Sequence, residues 1–507
     1  MSIAGMNTRY VVATLLIVLS IALSCWTDTR ALSRTYLDLT LSDGVKSSVA
    51  VYAPPSKPVG AALLLHGFSG TKENLALVAS SLARAGYVVF TPDWRGHGGT
   101  GSTLDGQTTT ILDDVRVYSD TLRSTYNLSF SLIGGHSMGG GFSQVAASEL
   151  HPRFLVLMCS GSTPSVLGPL LARGTETLMI AASLDTIVRP ESILASASQT
   201  ANVTVVPETT YSFSGGGNIR VKVIDNYDHL LVLYSEPLSK EVLSFVGSDI
   251  SPPFFEVIAT KIVAAVLFVI GMIIMIPPPR KVSSLAEPQQ LPTAGTQLRI
   301  VVVYCCAGLL LPVGSALTSF IPGVGTSSFF VGFFLSIAAT IAAATKLRLV
   351  PIRVRTPLLD LKSIGLGAAS GLLYAVGLHL IVGNDLIRLL PSAYASVAVI
   401  VTAPVAAGFA LLEMCALDAI GKRAPRWAVG SGTKALSLVF SLVTILLTFS
   451  SMVGFFFIFA YSALVLLLPL YIAESRLVRH SDAGRSASLA MFVVVLSLLA
   501  AASGARI

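Results

Sequence analysis

The 507-residue chain changes character at Ser251-Pro252-Pro253. Before that point short apolar runs alternate with charges and turn residues; beyond it long apolar runs are separated by short basic loops. An α-helix needs about 20 apolar residues to cross hydrocarbon, where only helices and closed barrels satisfy their own backbone polar groups. The second half is therefore expected to be an all-α, multi-span membrane domain, with spans near 256–276, 298–320, 327–344, 364–382, 393–416, 435–450, 454–472 and 487–501. Residues 10–26 form one more apolar run behind Arg9, either an anchor helix or a secretory signal segment, and bring the count to nine.

Charge follows the same division. Lys and Arg number 16 against 19 Asp and Glu up to residue 255, and 18 against 8 beyond it, so the net charge of +7 arises wholly in the apolar half. The loops after the second, fourth, sixth and eighth spans hold Arg280, Lys281 and Arg299; Lys346, Arg348, Arg353, Arg355 and Lys362; Lys422, Arg423, Arg426 and Lys434; and Arg476, Arg479 and Arg485. The alternate loops hold only Arg388. Basic loops face the cytoplasm, which places residues 27–255 on the outer side of a cell membrane. No basic run is interleaved with aromatics, so nucleic acid is not an expected partner. His379, Glu413 and Asp418 fall near span ends and read as solvated at the interface, with no paired arrangement to mark an ion pathway.

In the polar half, strand-like runs at 36–41, 45–52, 60–65, 87–90, 128–133, 154–160, 177–182 and 219–224 alternate with helical patterns at 74–85, 109–126 and 142–150. Such alternation implies an α/β fold with a mostly parallel sheet covered on both faces. The connection 161–176 is too short for a large lid, and Ser214-Gly215-Gly216-Gly217 reads as a small hairpin or loop elaboration before the last strand. The division expected is 1–26, anchor or signal; 27–250, the α/β domain; and 251–507, the helical domain. Cys25, Cys159, Cys305, Cys306 and Cys415 have neither a disulfide framework nor metal spacing, and Cys159 reads as a small buried hydrophobe.

The chemistry centres on Gly135-His136-Ser137-Met138-Gly139, a Gly-x-Ser-x-Gly pattern between a strand and a helix. A serine hydroxyl is a weak nucleophile at neutral pH and needs a histidine to take its proton and an acid to orient the histidine. In sheets of this kind both partners follow the serine at the ends of later strands. Among His66, His97, His136, His151 and His229, only His229 meets that condition, after the strand 219–224. Asp185 follows the strand 177–182 in the same way; Asp225 and Asp228 compete with it by proximity to His229.

Leu63-Leu64-Leu65-His66-Gly67-Phe68-Ser69-Gly70, Pro92-Asp93-Trp94-Arg95-Gly96-His97-Gly98, Gly135-His136-Ser137-Met138-Gly139, Leu184-Asp185-Thr186-Ile187-Val188 and Asp228-His229-Leu230 occur in that order. Residues 35–248 thereby resemble the α/β-hydrolase fold, closest to its esterase, acylglycerol-lipase and serine-aminopeptidase branch. The resemblance implies Ser137 as nucleophile, His229 as base, Asp185 as orienting acid, and the backbone N–H groups of Phe68 and Met138 as the oxyanion hole, with His66 and His97 bracing nearby loops. It implies acyl transfer to water without metal or cofactor. Carboxyl esters, lipid or other acyl esters among them, are the expected substrates, with peptides as the alternative. A different reading makes the helical half a transporter and the hydrolase an accessory or inactive domain.

Overall fold

The computed structural model describes residues 8–27, 34–68, 70–100, 102–275, 293–319, 328–352, 361–382, 393–420, 426–448, 470–473 and 482–502. The expected span 454–472, except its last three residues, lies outside them, as do Arg280, Lys281, Arg353, Arg355, Arg388, Lys422, Arg423, Arg476 and Arg479. The chain separates into two compact units, residues 24–262 and residues 1–23 with 263–504. Helix α1 (Thr8–Trp26) runs across the first boundary.

The unit 24–262 is built on one nine-stranded sheet. Its strands are β1 (Arg34–Thr40), β2 (Lys46–Tyr52), β3 (Gly60–Leu65), β4 (Tyr87–Pro92), β5 (Phe130–His136), β6 (Phe154–Met158), β7 (Glu176–Ala182), β8 (Thr210–Ser212) and β9 (Asn218–Ile224). The spatial order is β1-β2-β4-β3-β5-β6-β7-β9-β8, with β4, β3, β5, β6, β7 and β9 parallel and β1, β2 and β8 antiparallel at the two edges. Side chains alternate between faces along a strand, and both faces here are covered. Ile133 and Leu155 enter one core, with Val115 and Tyr118 of α3 (Thr108–Tyr126), Ala146 of α4 (Met138–Leu150), Leu167 of α5 (Pro164–Ala172) and Ile193 of α6 (Pro190–Ala201). Their neighbours Leu132 and Val156 enter the other, with Val78 and Leu82 of α2 (Ala76–Arg84) and Leu238 of α7 (Glu236–Phe245).

Every strand expected from the sequence forms, with ends shifted by a few residues. The connection from β6 to β7 holds only the nine-residue α5, consistent with the expected absence of a large lid. The glycine patch turns the β8–β9 hairpin, where the Phe213 amide donates to the Gly217 carbonyl at 2.8 Å. Helix α4 begins at Met138, four residues earlier than expected, because Gly139, Gly140 and Gly141 are helical here.

The regular structure of the second unit, among its described residues, is all helical: α8 (Thr260–Met275), entered through a π-helical turn at Phe255–Ala259, then α9 (Ala294–Leu309), α10 (Leu311–Ser319), α11 (Ser328–Lys346), α12 (Leu361–Val382), α13 (Ala393–Ile420), α14 (Arg426–Thr448) and α15 (Asp482–Ala502). Each matches one of the expected apolar spans, α9 and α10 together forming one that bends by 51°. Pro312 cannot donate to the Gly308 carbonyl one turn earlier; the hydroxyl of Ser441 does so instead, at 2.9 Å. Among the described residues, Thr8–Trp26, Phe255–Met275 and Thr402–Ala419 are long and apolar enough to cross a membrane, and the bent pair makes a fourth. Val331–Lys346, Leu361–Gly377, Ala428–Thr444 and Arg485–Leu498 are shorter apolar helices. Helix α1 packs on α8: the Ser20 hydroxyl donates to the Ala264 carbonyl at 2.6 Å, and a Cβ at Gly271 would lie 2.8 Å from Ile17.

One sequence expectation is overturned here. Glu413 and Asp418 are not isolated interfacial acids; both are paired. Glu413 of α13 is buried against Lys434 of α14, with the hydroxyls of Tyr304 and Tyr471 also donating to its carboxylate. The Lys434 ammonium lies 4.3 Å from the centroid of the Tyr304 ring. Asp418 pairs with Arg485 of α15. Lys434 and Arg485, expected in loops, lie within helices. The pairs join residues 21 and 67 positions apart, so no local spacing announces them.

Candidate active site

Ser137 occupies the turn between β5 and α4 with φ 54° and ψ −120°, a backbone conformation that L residues adopt only when the surroundings impose it. The glycines on either side permit this turn. A Cβ at Gly135 would lie 2.2 Å from the Gly139 carbonyl, and one at Gly139 would lie 2.2 Å from the Leu65 carbonyl of β3. The Ser137 amide donates to Met158 at 2.9 Å, tying the turn to the end of β6. Strand β3 has β4 on one side and β5 on the other, so the chain order reverses between β3 and β5, the position at which open α/β sheets place their sites. Phe68 and Met138 follow these two adjacent strands. A Cβ at Gly67 would lie 3.1 Å from Cβ of Ser137, so the Phe68 loop lies against the turn. Met138 opens α4, where an amide has no acceptor within its own helix.

Asp185 and His229 meet at the same sheet edge. His229 Nδ1 lies 2.6 Å from Asp185 Oδ2, and both side chains are buried. A carboxylate only accepts, so His229 donates to it through Nδ1–H, which turns Nε2 away from Asp185. The other Asp185 oxygen accepts from the amides of Ile187 and Val188 at 2.8 and 2.9 Å. Burial acts to raise the Asp185 carboxyl, but the His229 bond, its charge and these two amides outweigh it, and the carboxyl is held below its ordinary value. The loops carrying the pair are stitched together: Leu184 donates to Tyr227 and Asn226 to the Ser183 hydroxyl, each at 2.9 Å. Of the competing acids, Asp228 turns its carboxylate onto the amides of Leu230 and Leu231, and Asp225 is exposed. His151 ends α4, on the opposite side of it from the Ser137 turn.

The family model described as serine aminopeptidase, S33, matches residues 56–185. This unit is an α/β-hydrolase domain. Among curated proteins, Lipase 3 of Moraxella sp. is 33% identical over 116 residues, covering 23% of this chain and 35% of that protein. The monoacylglycerol lipase of Mycolicibacterium smegmatis is 26% identical over 125 residues, covering 23% and 43%. The chain thus spans less than half the length of these relatives. Among solved structures, a lidless α/β serine hydrolase from Xanthomonas campestris aligns at 18% identity and a TM-score of 0.33, covering 43% of this chain and 97% of its own. An esterase from Pyrococcus furiosus aligns at 20% and 0.34, covering 44% and 95%.

The hydrolase domain braces the Phe68 loop from beneath. His66 Nε2 accepts from the Trp94 amide at 2.9 Å, and its Nδ1 lies 2.8 Å from the Gly67 carbonyl. The His97 ring stands edge-on to both His66 and Phe68. Burial, then the nearby His97, lowers His66 to about 3, so it is neutral and works as a structural link. Asp93, at the end of β4, accepts from the Lys72 amide at 2.8 Å, the Gly99 amide at 2.8 Å and the Lys72 ammonium at 3.2 Å. Burial raises the Asp93 carboxyl to about 6 against the pull of Lys72. Arg95 clamps Asp114 of α3 and Asp43 of the β1–β2 turn through paired guanidinium contacts. Sequence reasoning gave neither Lys72 nor Asp93 a role, although Asp93 lies within a segment that carried the resemblance and Lys72 two residues beyond another.

His136, Cys159 and His229 place one potential metal-ligand atom each within 4.8 Å of one another, all buried. Their polar atoms are already engaged: His136 Nε2 lies 2.8 Å from the His229 carbonyl, His229 Nδ1 faces Asp185, and the Cys159 thiol, which burial holds protonated, lies against Asp185. A metal would compete with these contacts for His136 Nε2 and the Cys159 thiol. These residues fit a hydrogen-bonded support under the site better than an ion.

Proposed function

We propose that the hydrolase domain is a serine hydrolase that cleaves carboxyl esters through an acyl-enzyme on Ser137. The observation that carries this reading is the buried 2.6 Å contact between Asp185 and His229, at the sheet edge where Ser137 is held in its strained turn. His229 would take the serine proton as the hydroxyl attacks the ester carbonyl, and Asp185 would hold the imidazole and stabilise the imidazolium formed. The amides of Phe68 and Met138 would receive the oxyanion, each such donor contributing on the order of 3 kcal/mol to the transition state. His229 would then return the proton to the leaving alcohol, and water would release the acyl group by the same steps.

Lipid or other acyl esters are the favoured substrates, supported by the names of the curated relatives. Peptides are the second choice, supported by the description of the matching family model. The chain is proposed to be a multi-pass membrane protein with this domain on the outer face. The basic loops and apolar helices support that topology.

The first experiment is labelling of purified membranes with a fluorophosphonate, comparing the intact chain with Ser137→Ala and His229→Ala. Labelling lost in both variants supports the reading, and an unlabelled, folded intact chain sinks it. Aryl esters, monoacylglycerols and aminoacyl anilides then separate the substrate classes. Protease added to intact cells should cut the domain between Thr27 and Asp249; protection until lysis would reverse the topology.

The buried Glu413–Lys434 pair favours a second reading for the helical half, since ionisable groups inside apolar bundles commonly mark transport pathways. Solute uptake by vesicles holding the full chain, abolished by Glu413→Gln, would support it.

A further inference from the structure

The serine and the histidine stand on strands that are not neighbours. Strands β5 and β9 are separated by β6 and β7, and three strand steps of ~4.8 Å set their ends ~14 Å apart. The loop after β9 must therefore fold back across two strand ends to bring His229 near Ser137. Asp185, on the loop after β7, supplies one hold on it.

The residue before the serine supplies another. His136 ends β5 and is buried, and its Nε2 lies 2.8 Å from the His229 carbonyl oxygen. A carbonyl only accepts, so His136 donates through Nε2–H. Its ring also lies on that of His229, with centroids 4.6 Å apart and an interplanar angle of 51°. Burial, then the neighbouring His229, lowers His136 to about 3, which keeps it neutral and leaves His229 beside an uncharged ring.

We propose that His136 is a positioning residue: its Nε2–H bond to the His229 carbonyl references the base to the peptide that carries Ser137. The proposal rests on the serine-hydrolase reading above. Ser137 and His136 share one peptide bond, and the turn fixes the direction of both side chains. The hydrogen bond thus links base and nucleophile by a far shorter path than the one through β6, β7 and β9. A ring of the same shape without a donor would keep the contact with the imidazole and lose this reference.

The test uses the full chain in purified membranes. It measures the second-order rate of fluorophosphonate labelling, and kcat and KM for a p-nitrophenyl ester, in the wild type, His136→Phe and His136→Gln, with thermal midpoints as a control on folding. Misplacement of a catalytic group by about 1 Å can slow a reaction about 100-fold. His136→Phe is therefore expected to slow labelling and kcat about 10- to 100-fold with KM nearly unchanged, and His136→Gln, which keeps an N–H donor, to recover most of the rate. Labelling of folded His136→Phe at the wild-type rate overturns the proposal, as does an equal loss in the Phe and Gln variants. If His136→Phe does not fold, His136→Met replaces it, and equal rates in the Met and Gln variants overturn the proposal. A wild-type chain that takes no label, or labels equally well as Ser137→Ala, overturns the serine-hydrolase reading and this role with it. A labelled wild type with an unaffected His136→Phe overturns this role alone.

Discussion

Two glycines that follow Ser137 answer to different constraints. A Cβ at Gly139 would strike the Leu65 carbonyl, which belongs to the central strand and cannot give way, whereas a Cβ at Gly141 meets nothing within 4 Å. Gly139→Ala is accordingly expected to destabilise the domain by about 1–3 kcal/mol and to abolish labelling. Gly141→Ala, in an open part of α4, should be neutral or stabilising by up to about 1 kcal/mol. Thermal unfolding and probe labelling of the two variants side by side check this; similar behaviour would mean that the turn tolerates a side chain. Titration at this scale is also specific. His66 and His136, lowered to about 3 by burial, take up protons from pH 6.5 downward in the unfolded chain but not in the folded one. Stability is then present above pH 6.5 and lost on acidification, by ~2 kcal/mol per histidine between pH 6.5 and 5. Asp93, raised to about 6, opposes this because the folded chain binds its proton first, offsetting ~1.4 kcal/mol at pH 5. The lowered Asp185 adds to the loss only as pH falls through its ordinary range near 3.8 and below. The net expectation is a lower denaturant midpoint at pH 5 than at pH 7, and an equal or higher midpoint would contradict neutral, buried imidazoles.

Between elements, Arg95 does what strand pairing cannot. It joins the loop after β4 to α3 through Asp114 and to the β1–β2 turn through Asp43. Removing it leaves the Asp114 carboxylate buried without a cation, so Arg95→Leu is expected to destabilise the domain by about 3–5 kcal/mol, and Arg95→Leu with Asp114→Leu to recover much of it. Urea unfolding of the single and double variants measures the coupling. Arg95 lies in a segment that carried the family resemblance, yet its partners, 19 and 52 residues away, do not follow from that segment. The same distinction runs through the site. The tight turn at Ser137 was legible because its glycines obey a local steric rule, and the approach of Asp185 to His229 because both follow strands that end at one edge of the sheet. His136 drew no reading from the sequence beyond its place in the motif, because its hydrogen bond reaches a carbonyl 93 residues downstream. Helices α5, α6 and α7 went beyond the sequence expectation, their starts being marked by Pro164, Pro190 and the Ser235 cap rather than by long apolar periodicity.

Across the whole molecule, hydropathy marked the helices of the second unit closely but misjudged their charges. A buried ion pair is a long-range fact, and a rule that counts loop charges assigns Lys434 to a loop because it cannot see Glu413. Replacing one partner strands the other, so Glu413→Gln is expected to destabilise the helical unit by about 3–5 kcal/mol, and Glu413→Leu with Lys434→Met to restore most of that. Thermal unfolding in detergent of single and double variants tests it; single variants as stable as the wild type would show that water reaches the pair.

The contact of α1 with α8 also has a consequence in time. Residues 1–23 belong with 263–504, yet the hydrolase domain is synthesised between them. At ~5–20 residues per second, the ~240 residues from Leu23 to Val263 separate the arrival of α1 from that of its partner by about 10–50 seconds. Throughout that interval the face of α1 bearing Ala13, Ile17 and Ser20 waits for Gly271 and Ala264, while the sheet has time to close as a loop tethered at its start. The order in which the ribosome delivers the segments thus lets the sheet domain mature before the helical half can enclose its own first helix.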